Sequence, residues 1–461
     1  MQKLIAKYGL AAHLAILAVA PLFLFPFCAT GTVAWVLVWL TLPTALWTVL
    51  EPSLRGGEHL HDARRRVVKA VFRDPLFWAS LVLVVFTGFR ALNGGIALSY
   101  DAEASVWCVS PPVFPILPGV VGSAGDLSFA VALACVVLLQ ACRHSLGRSA
   151  RMAFLLLVSF LSGLAALVTL VSLHEGTAGA LALLPSDGGT AHSFIALTFG
   201  LQLIGGVVAL IAIAEYRWSF SFFLLLPAIG GNAAGLFAFA PAYLSAAFAV
   251  AVVLTLSYAI LFSMLKFSSS DGLKLMVIGG IALTFGGLLA AVALPRAVMD
   301  ERLAAFMNLA FFPERFWEIR GMLSAVAFKS WISHIWIGTG IDSFPLDFRF
   351  AAQDADWAAL PRGATAVSNG WWLLLAERGL VGAVFFVLPF GFLLFTYGRR
   401  LVGGVKARVL PHPICLIAPV VLALFVATGF VDCSPLRAEV LMAMCAYLAV
   451  SAAAFPRVRG G

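Results

Sequence analysis

Residues 193–239, SFIALTFGLQLIGGVVALIAIAEYRWSFSFFLLLPAIGGNAAGLFAF, form two apolar runs, 193–214 and 219–239, joined by a short polar link that contains Arg217. Neither run carries a charged residue, and each is long enough as a helix to cross the roughly 30 Å hydrocarbon layer of a bilayer. The same pattern recurs along the whole chain, at 9–28, 31–50, 76–92, 124–142, 152–173, 242–265, 273–295, 380–397, 410–430 and 437–455. The expected fold is therefore an all-α polytopic membrane protein of about twelve transmembrane helices. The chain is 62% hydrophobic and only 11% charged, with a mean hydropathy of +1.00. A soluble domain averages roughly 25% charged residues, so that balance excludes one.

The net charge of +8 does not point to nucleic acid. Most basic residues sit in alternate links between apolar runs, which all fall on one side of the expected bundle: Arg64, Arg65, Arg66, Lys69 and Arg73, then Arg143, Arg148 and Arg151, then Arg217, then Lys266 and Lys274, and finally Arg399, Arg400, Lys406 and Arg408. This is the positive-inside pattern, and it predicts cytoplasmic N- and C-termini in a bacterial inner membrane. The seven cysteines lack metal-binding spacing and read as small apolar residues. A disulfide between Cys108 and Cys433 is the pairing that the topology leaves open.

The link 296–379, between the ninth and tenth runs, breaks the charge rule. It carries Arg296, Arg302, Arg315, Arg320, Lys329, Arg349, Arg362 and Arg378 on the outer, periplasmic face, interleaved with acids and aromatics. Apolar residues between Phe316 and Trp336 recur at helical spacing, which predicts an amphipathic helix followed by a turn at Gly338, Thr339 and Gly340. Residues 369–379 read as a second short helix leading into the tenth crossing. The expected organisation is thus 1–295 with nine crossings, 296–379 as a periplasmic loop, and 380–461 with three more.

Three stretches carry a family resemblance. "RGMLSAVAFKSWISHIWIGTGIDSF", 320–344, resembles the outer loop of the O-antigen ligase and polymerase superfamily of membrane glycosyltransferases, through Arg320, Gly338, Gly340 and Phe344. "SNGWWLLLAERGLVGAVFF", 368–386, is similar to that family's second signature, with Asn369, Leu375, Glu377, Gly379 and Gly382 in place. "VDCSPLRAEVLMAMCAYL", 431–448, is similar to a third, with Asp432, Pro435, Leu436 and Arg437, and needs one extra residue. Ser368 stands where the family has a His, and a serine hydroxyl is no general base near neutral pH.

The resemblance implies transfer of a glycan from an undecaprenyl-diphosphate carrier to an acceptor glycan at the periplasmic face, with no cofactor. The nearest implied reading is a polymerase of O-antigen or exopolysaccharide repeat units. A ligase acting on lipid A core is the alternative, and a transporter or catalytically silent partner in a polysaccharide assembly complex is the alternative from another class. A diphosphate leaving group gathers negative charge, which arginine meets with a planar fork that keeps its proton. Arg320, Arg437 and Arg90 are the candidates for that role. The attacking hydroxyl must also lose a proton, and Ser368, Asn369, Asp432 and His334 are the polar candidates around it, with Gly338, Gly340 and Glu377 shaping the site. No carboxylate cluster suggests a metal.

Overall fold

A computed structural model of the chain describes residues 2–25, 30–50, 59–96, 98–101, 106–109, 120–121, 124–174, 193–214, 220–239, 242–266, 314–344, 369–406, 412–430 and 433–454. Within them the chain is mostly helical, with two short strand pairs and a non-helical turn at 334–343. The helices are α1 (Gln2–Leu24), α2 (Thr30–Leu50), α3 (Leu60–Phe72), α4 (Pro75–Leu92), α5 (Ala124–Ser145), α6 (Arg148–His174), α7 (Ser193–Ala214), α8 (Phe220–Phe239), α9 (Ala242–Lys266), α10 (Glu314–Ser333), α11 (Gly370–Lys406), α12 (Ile417–Gly429) and α13 (Ala438–Ala454).

Every apolar run predicted on described residues coincides with one of these helices. The run 273–295 lies outside them. Four helical stretches are long and apolar enough to cross a membrane, Pro75–Leu92, Ser149–Thr169, Ser193–Ile213 and Gly370–Val402, and seven shorter apolar helices accompany them among the described residues.

Two features depart from the sequence reading. The basic link before α4 is helical: α3 sets Arg64, Arg65, Arg66 and Lys69 on an amphipathic helix that buries only Ala63 and Val67. The link after α4 contains strands where none was expected. In it β1 (Gly94–Ile96) pairs in parallel with β4 (Val120–Val121), and β2 (Leu98–Asp101) pairs antiparallel with β3 (Val106–Val109).

α7 runs through the middle of the bundle, packed against α6, α8, α9 and α13, and the described side chains along its length are buried. Small residues permit the close approach of its neighbours. A Cβ on Gly163 of α6 would lie 2.7 Å from the Cα of Ala228 in α8, a backbone contact of the kind that lets membrane helices pack without hydrophobic drive. One polar network crosses this interior. Tyr447 of α13 donates to Oε1 of Gln202 in α7, and Gln202 Nε2 donates to the Ala18 carbonyl of α1 at 2.9 Å.

The bundle has two polar ends. At one, Asp74 Oδ1 accepts the Leu76 amide at 3.1 Å and caps α4, with Pro75 in the first turn where its missing N–H costs nothing. Its other oxygen, Oδ2, meets Arg143 Nε at 3.2 Å and His144 Nε2 at 3.1 Å. Burial alone would push this carboxyl up, but the hydrogen bond from His144, the charge of Arg143 and the Leu76 amide outweigh it and hold Asp74 below its usual range. The opposite end carries the stretches that resemble family motifs.

Candidate functional site

The site is built around a break in α11. Gly379 has φ 66° and ψ −176°, a backbone region essentially confined to glycine, and it divides the helix into 370–378 and 380–406. Such a break exposes carbonyls at the end of one segment and amides at the start of the next, which need partners elsewhere. The turn after α10 supplies both. Thr339 N donates to Ala376 O at 2.8 Å and Gly340 N to Glu377 O at 3.2 Å, while Leu380 N and Val381 N donate back to Ile335 O and Trp336 O at 2.8 and 3.0 Å.

Two glycines make that fit possible. Gly338 has φ 70°, and a Cβ there would fall 2.5 Å from Glu377 C and Gly379 N; a Cβ on Gly379 would fall 2.4 Å from Ile337 N. The two backbones touch where any side chain would part them. The predicted turn at Gly338, Thr339 and Gly340 is present, and the helix before it ends at Ser333 rather than Trp336.

Glu377 is the hub on the α11 side. Its carboxylate accepts the backbone amides of Asp342 and Phe344, so it orders the loop from within. Thr339 and Ser343 add a hydroxyl pair at 2.7 Å, and Phe344 plugs the loop into the interior with no exposure. Asp342 is the one non-glycine residue with positive φ among the described residues, at 62°, and its side chain is exposed.

Arg90 reaches this turn from α4, 247 positions away in sequence. It is 1% exposed, and its Nη1 donates to the Ile337 carbonyl at 2.6 Å. Nε and Nη2 are buried without a hydrogen-bond partner among the described residues. The Phe86 ring lies 5.7 Å from its Cζ. Arg90, Gly338, Gly340 and Glu377 therefore form one packed unit.

The remaining candidates are spread around it. Asn369 caps the 370–378 helix, its Oδ1 accepting Trp371 N at 2.9 Å and Trp372 N at 3.2 Å, which puts it about 12 Å from Glu377 along the axis. Trp371 ties that helix start to α12 through Nε1 to Val426 O at 3.1 Å. Beyond α12, Arg437 opens α13; its Cζ sits 4.1 Å over the Phe194 ring and its Nη2 is 3.5 Å from Glu439 Oε1. His334 is exposed, with Nδ1 3.0 Å from Ser333 Oγ, and does not join the Glu377 group. Arg320 lies on α10 with its side chain outside the described set. Ser368 and Asp432 lie outside the described residues, and Cys433 forms no disulfide, so the pairing with Cys108 considered above is not made. Phe328, Trp331 and Trp372 form an aromatic group where α10 meets α11, with ring centroids 5.3 to 5.9 Å apart.

Sequence reasoning passed over Asp342 and Arg378. Both stand inside stretches it had singled out, Asp342 two residues past Gly340 and Arg378 beside Glu377, and an acid within a glycine-rich turn was the signal available. Among the described residues no group of three or more His, Cys, Asp or Glu side chains stands together as a metal site. Compared with known proteins, the chain matches no family model and no curated relative.

Proposed function

We propose that the chain is a bacterial inner-membrane glycosyltransferase that joins undecaprenyl-diphosphate-linked glycan units to an acceptor glycan, as an O-antigen or exopolysaccharide polymerase. In this reading the chain crosses the membrane about twelve times with both termini cytoplasmic, and the site faces the periplasm. One observation carries the proposal: the turn 335–344 and the helix break at 376–381, the two stretches with the clearest family resemblance, dock on each other through reciprocal backbone hydrogen bonds, with Arg90 closing the joint.

The chemistry asks for cations at the membrane edge to receive a diphosphate leaving group, and three arginines suit it in different ways. Arg437 is partly exposed at the start of α13. Arg320 stands on α10, which packs against α11. Arg90 has two nitrogens, Nε and Nη2, without a hydrogen-bond partner among the described residues, and its burial makes it a brace for the turn. A shallow apolar groove of about 610 Å³, lined by Ala383, Val387, Leu388, Gly391 and Phe395 among others, runs along α11 below the break and suits a polyprenyl tail.

The test is complementation in the source bacterium. The gene is deleted and restored as wild type, Arg320→Ala or Arg437→Ala at matched membrane levels, and long-chain polysaccharide is followed on a gel. A deletion strain that accumulates short lipid-linked glycan, unrescued by the arginine variants, supports a polymerase. Loss of glycan attachment to lipid A core with long free chains retained favours the ligase, and normal polymer after deletion refutes both.

A further inference from the structure

Replacing the family's His by Ser368 leaves the proposed reaction without an evident base, and the structure offers another group. Asp342 lies in the turn that Glu377, Gly338 and Arg90 hold in place, and it differs from the other acids there. The Glu377 carboxylate is turned inward and occupied by the amides of Asp342 and Phe344. Asp342 is an exposed residue whose carboxylate is partly screened from water by the turn and has no hydrogen bond or ion pair with a described residue. The backbone at Asp342 is held at φ 62°, a conformation in which a non-glycine residue costs of order 1 to 3 kcal/mol and which persists only where the surroundings enforce it. Here they do so through the amide of the same residue, bonded to Glu377. Arg90 of α4, 1% exposed, braces the same turn through Nη1 to the Ile337 carbonyl at 2.6 Å, so Asp342 stands on a backbone fixed from two other elements.

We infer that Asp342 is the general base of the glycosyl transfer, taking the proton from the acceptor hydroxyl. The assignment rests on the function proposed above. As the acceptor oxygen bonds to the anomeric carbon of the donor sugar, the bond from that carbon to the diphosphate oxygen breaks. The electron pair leaves with the diphosphate, and the hydroxyl proton moves to the Asp342 carboxylate. Nothing else is consumed. Desolvation raises the Asp342 pKa above its ordinary value, which brings the carboxylate nearer the pH at which a base works best. The titratable groups around the turn are Glu377 and Arg378 of α11, Arg90 of α4 and His334 of the turn itself.

The probe is the short lipid-linked glycan extracted from the deletion strain, incubated with the purified full-length protein in detergent. Asp342→Asn should lower turnover by about 100-fold or more, the usual contribution of a positioned base, with KM little changed. Asp342→Gly accepts the backbone conformation without strain and should lose as much, which separates the carboxylate from the fold; Asp342→Glu should retain part of the rate. The wild-type rate should fall on the acid side of a pH profile, with that limb absent from the residual activity of Asp342→Asn. Wild-type turnover by Asp342→Asn or Asp342→Gly overturns the assignment while the functional reading stands. A wild-type protein that leaves the extracted glycan unchanged overturns the functional reading and this assignment together.

Discussion

Substituting Gly379 by alanine attacks the joint at its narrowest point. The added methyl group would sit 2.4 Å from Ile337 N, 2.5 Å from Gly338 N and 2.5 Å from Trp336 C, all backbone atoms that cannot rotate aside. Two costs combine. Alanine at φ 66° and ψ −176° pays roughly 1 to 3 kcal/mol of backbone strain. Forcing extra volume into a closed contact adds about 1 to 3 kcal/mol. A total of about 2 to 6 kcal/mol matches what the four turn hydrogen bonds return together, also about 2 to 6 kcal/mol, so the substitution cancels the stability of the joint. The turn should lift from the helix while the transmembrane bundle stays assembled. Limited proteolysis of purified protein checks this, with cleavage near 338–344 expected in Gly379→Ala and not in wild type, alongside loss of activity in complementation. Gly398→Ala is the control: a Cβ there meets nothing within 4 Å, and removing a helical glycine should stabilise by roughly 0.5 to 1 kcal/mol. Wild-type protease resistance and activity in Gly379→Ala would refute the interlock.

Three further perturbations test other parts of the same account. Arg90→Met removes the charge-assisted bond to Ile337 O and should destabilise the turn by about 1.5 to 3 kcal/mol, read by the same proteolysis assay; an unchanged pattern would make Arg90 a bystander. Tyr447→Phe strands Gln202 Oε1 in the bundle interior and should lower thermal stability in detergent by about 0.5 to 2 kcal/mol, without affecting the turn. Asp74 has a depressed pKa in the fold, so its contribution is present above the unfolded carboxylate value and is lost as pH falls through the folded one; acid titration of stability should therefore be shallower in Asp74→Asn than in wild type.

Sequence reasoning located elements well and contacts poorly, and the difference has a physical cause. An apolar run of bilayer length has few alternatives to a helix, because every backbone polar group within it must be satisfied locally. That is why 193–214, 219–239 and 437–455 read directly as helices. The strands at 94–121 are two to four residues long and carry too little periodicity to be seen. The partnership of Arg90 with Ile337 spans 247 residues, and no local spacing encodes it. Gly338 and Gly379 were both visible as motif glycines, yet their meaning lies in each other: either glycine alone is only a turn or a cap. In the sequence Glu377 is only a motif residue expected to shape the site; its carboxylate faces the Asp342 and Phe344 amides, a role set by where the turn docks.

The same geometry bears on how such a site tolerates Ser368. Asn369, at the start of the 370–378 helix, stands about 12 Å from Glu377 along its axis, so a base on that side would handle the acceptor on an element separate from the joint. Asp342 instead lies on the turn that Arg90 braces and Glu377 anchors, so a carboxylate there is held in place by the joint itself. Positioning of this kind is where catalytic advantage resides, because groups already aligned lose no freedom as the reaction proceeds. A double variant separates the arrangements. If Asp342 is the base, Ser368→His restores no activity to Asp342→Asn; if the base belongs at 368, Ser368→His raises turnover in the wild-type background and rescues Asp342→Asn as well.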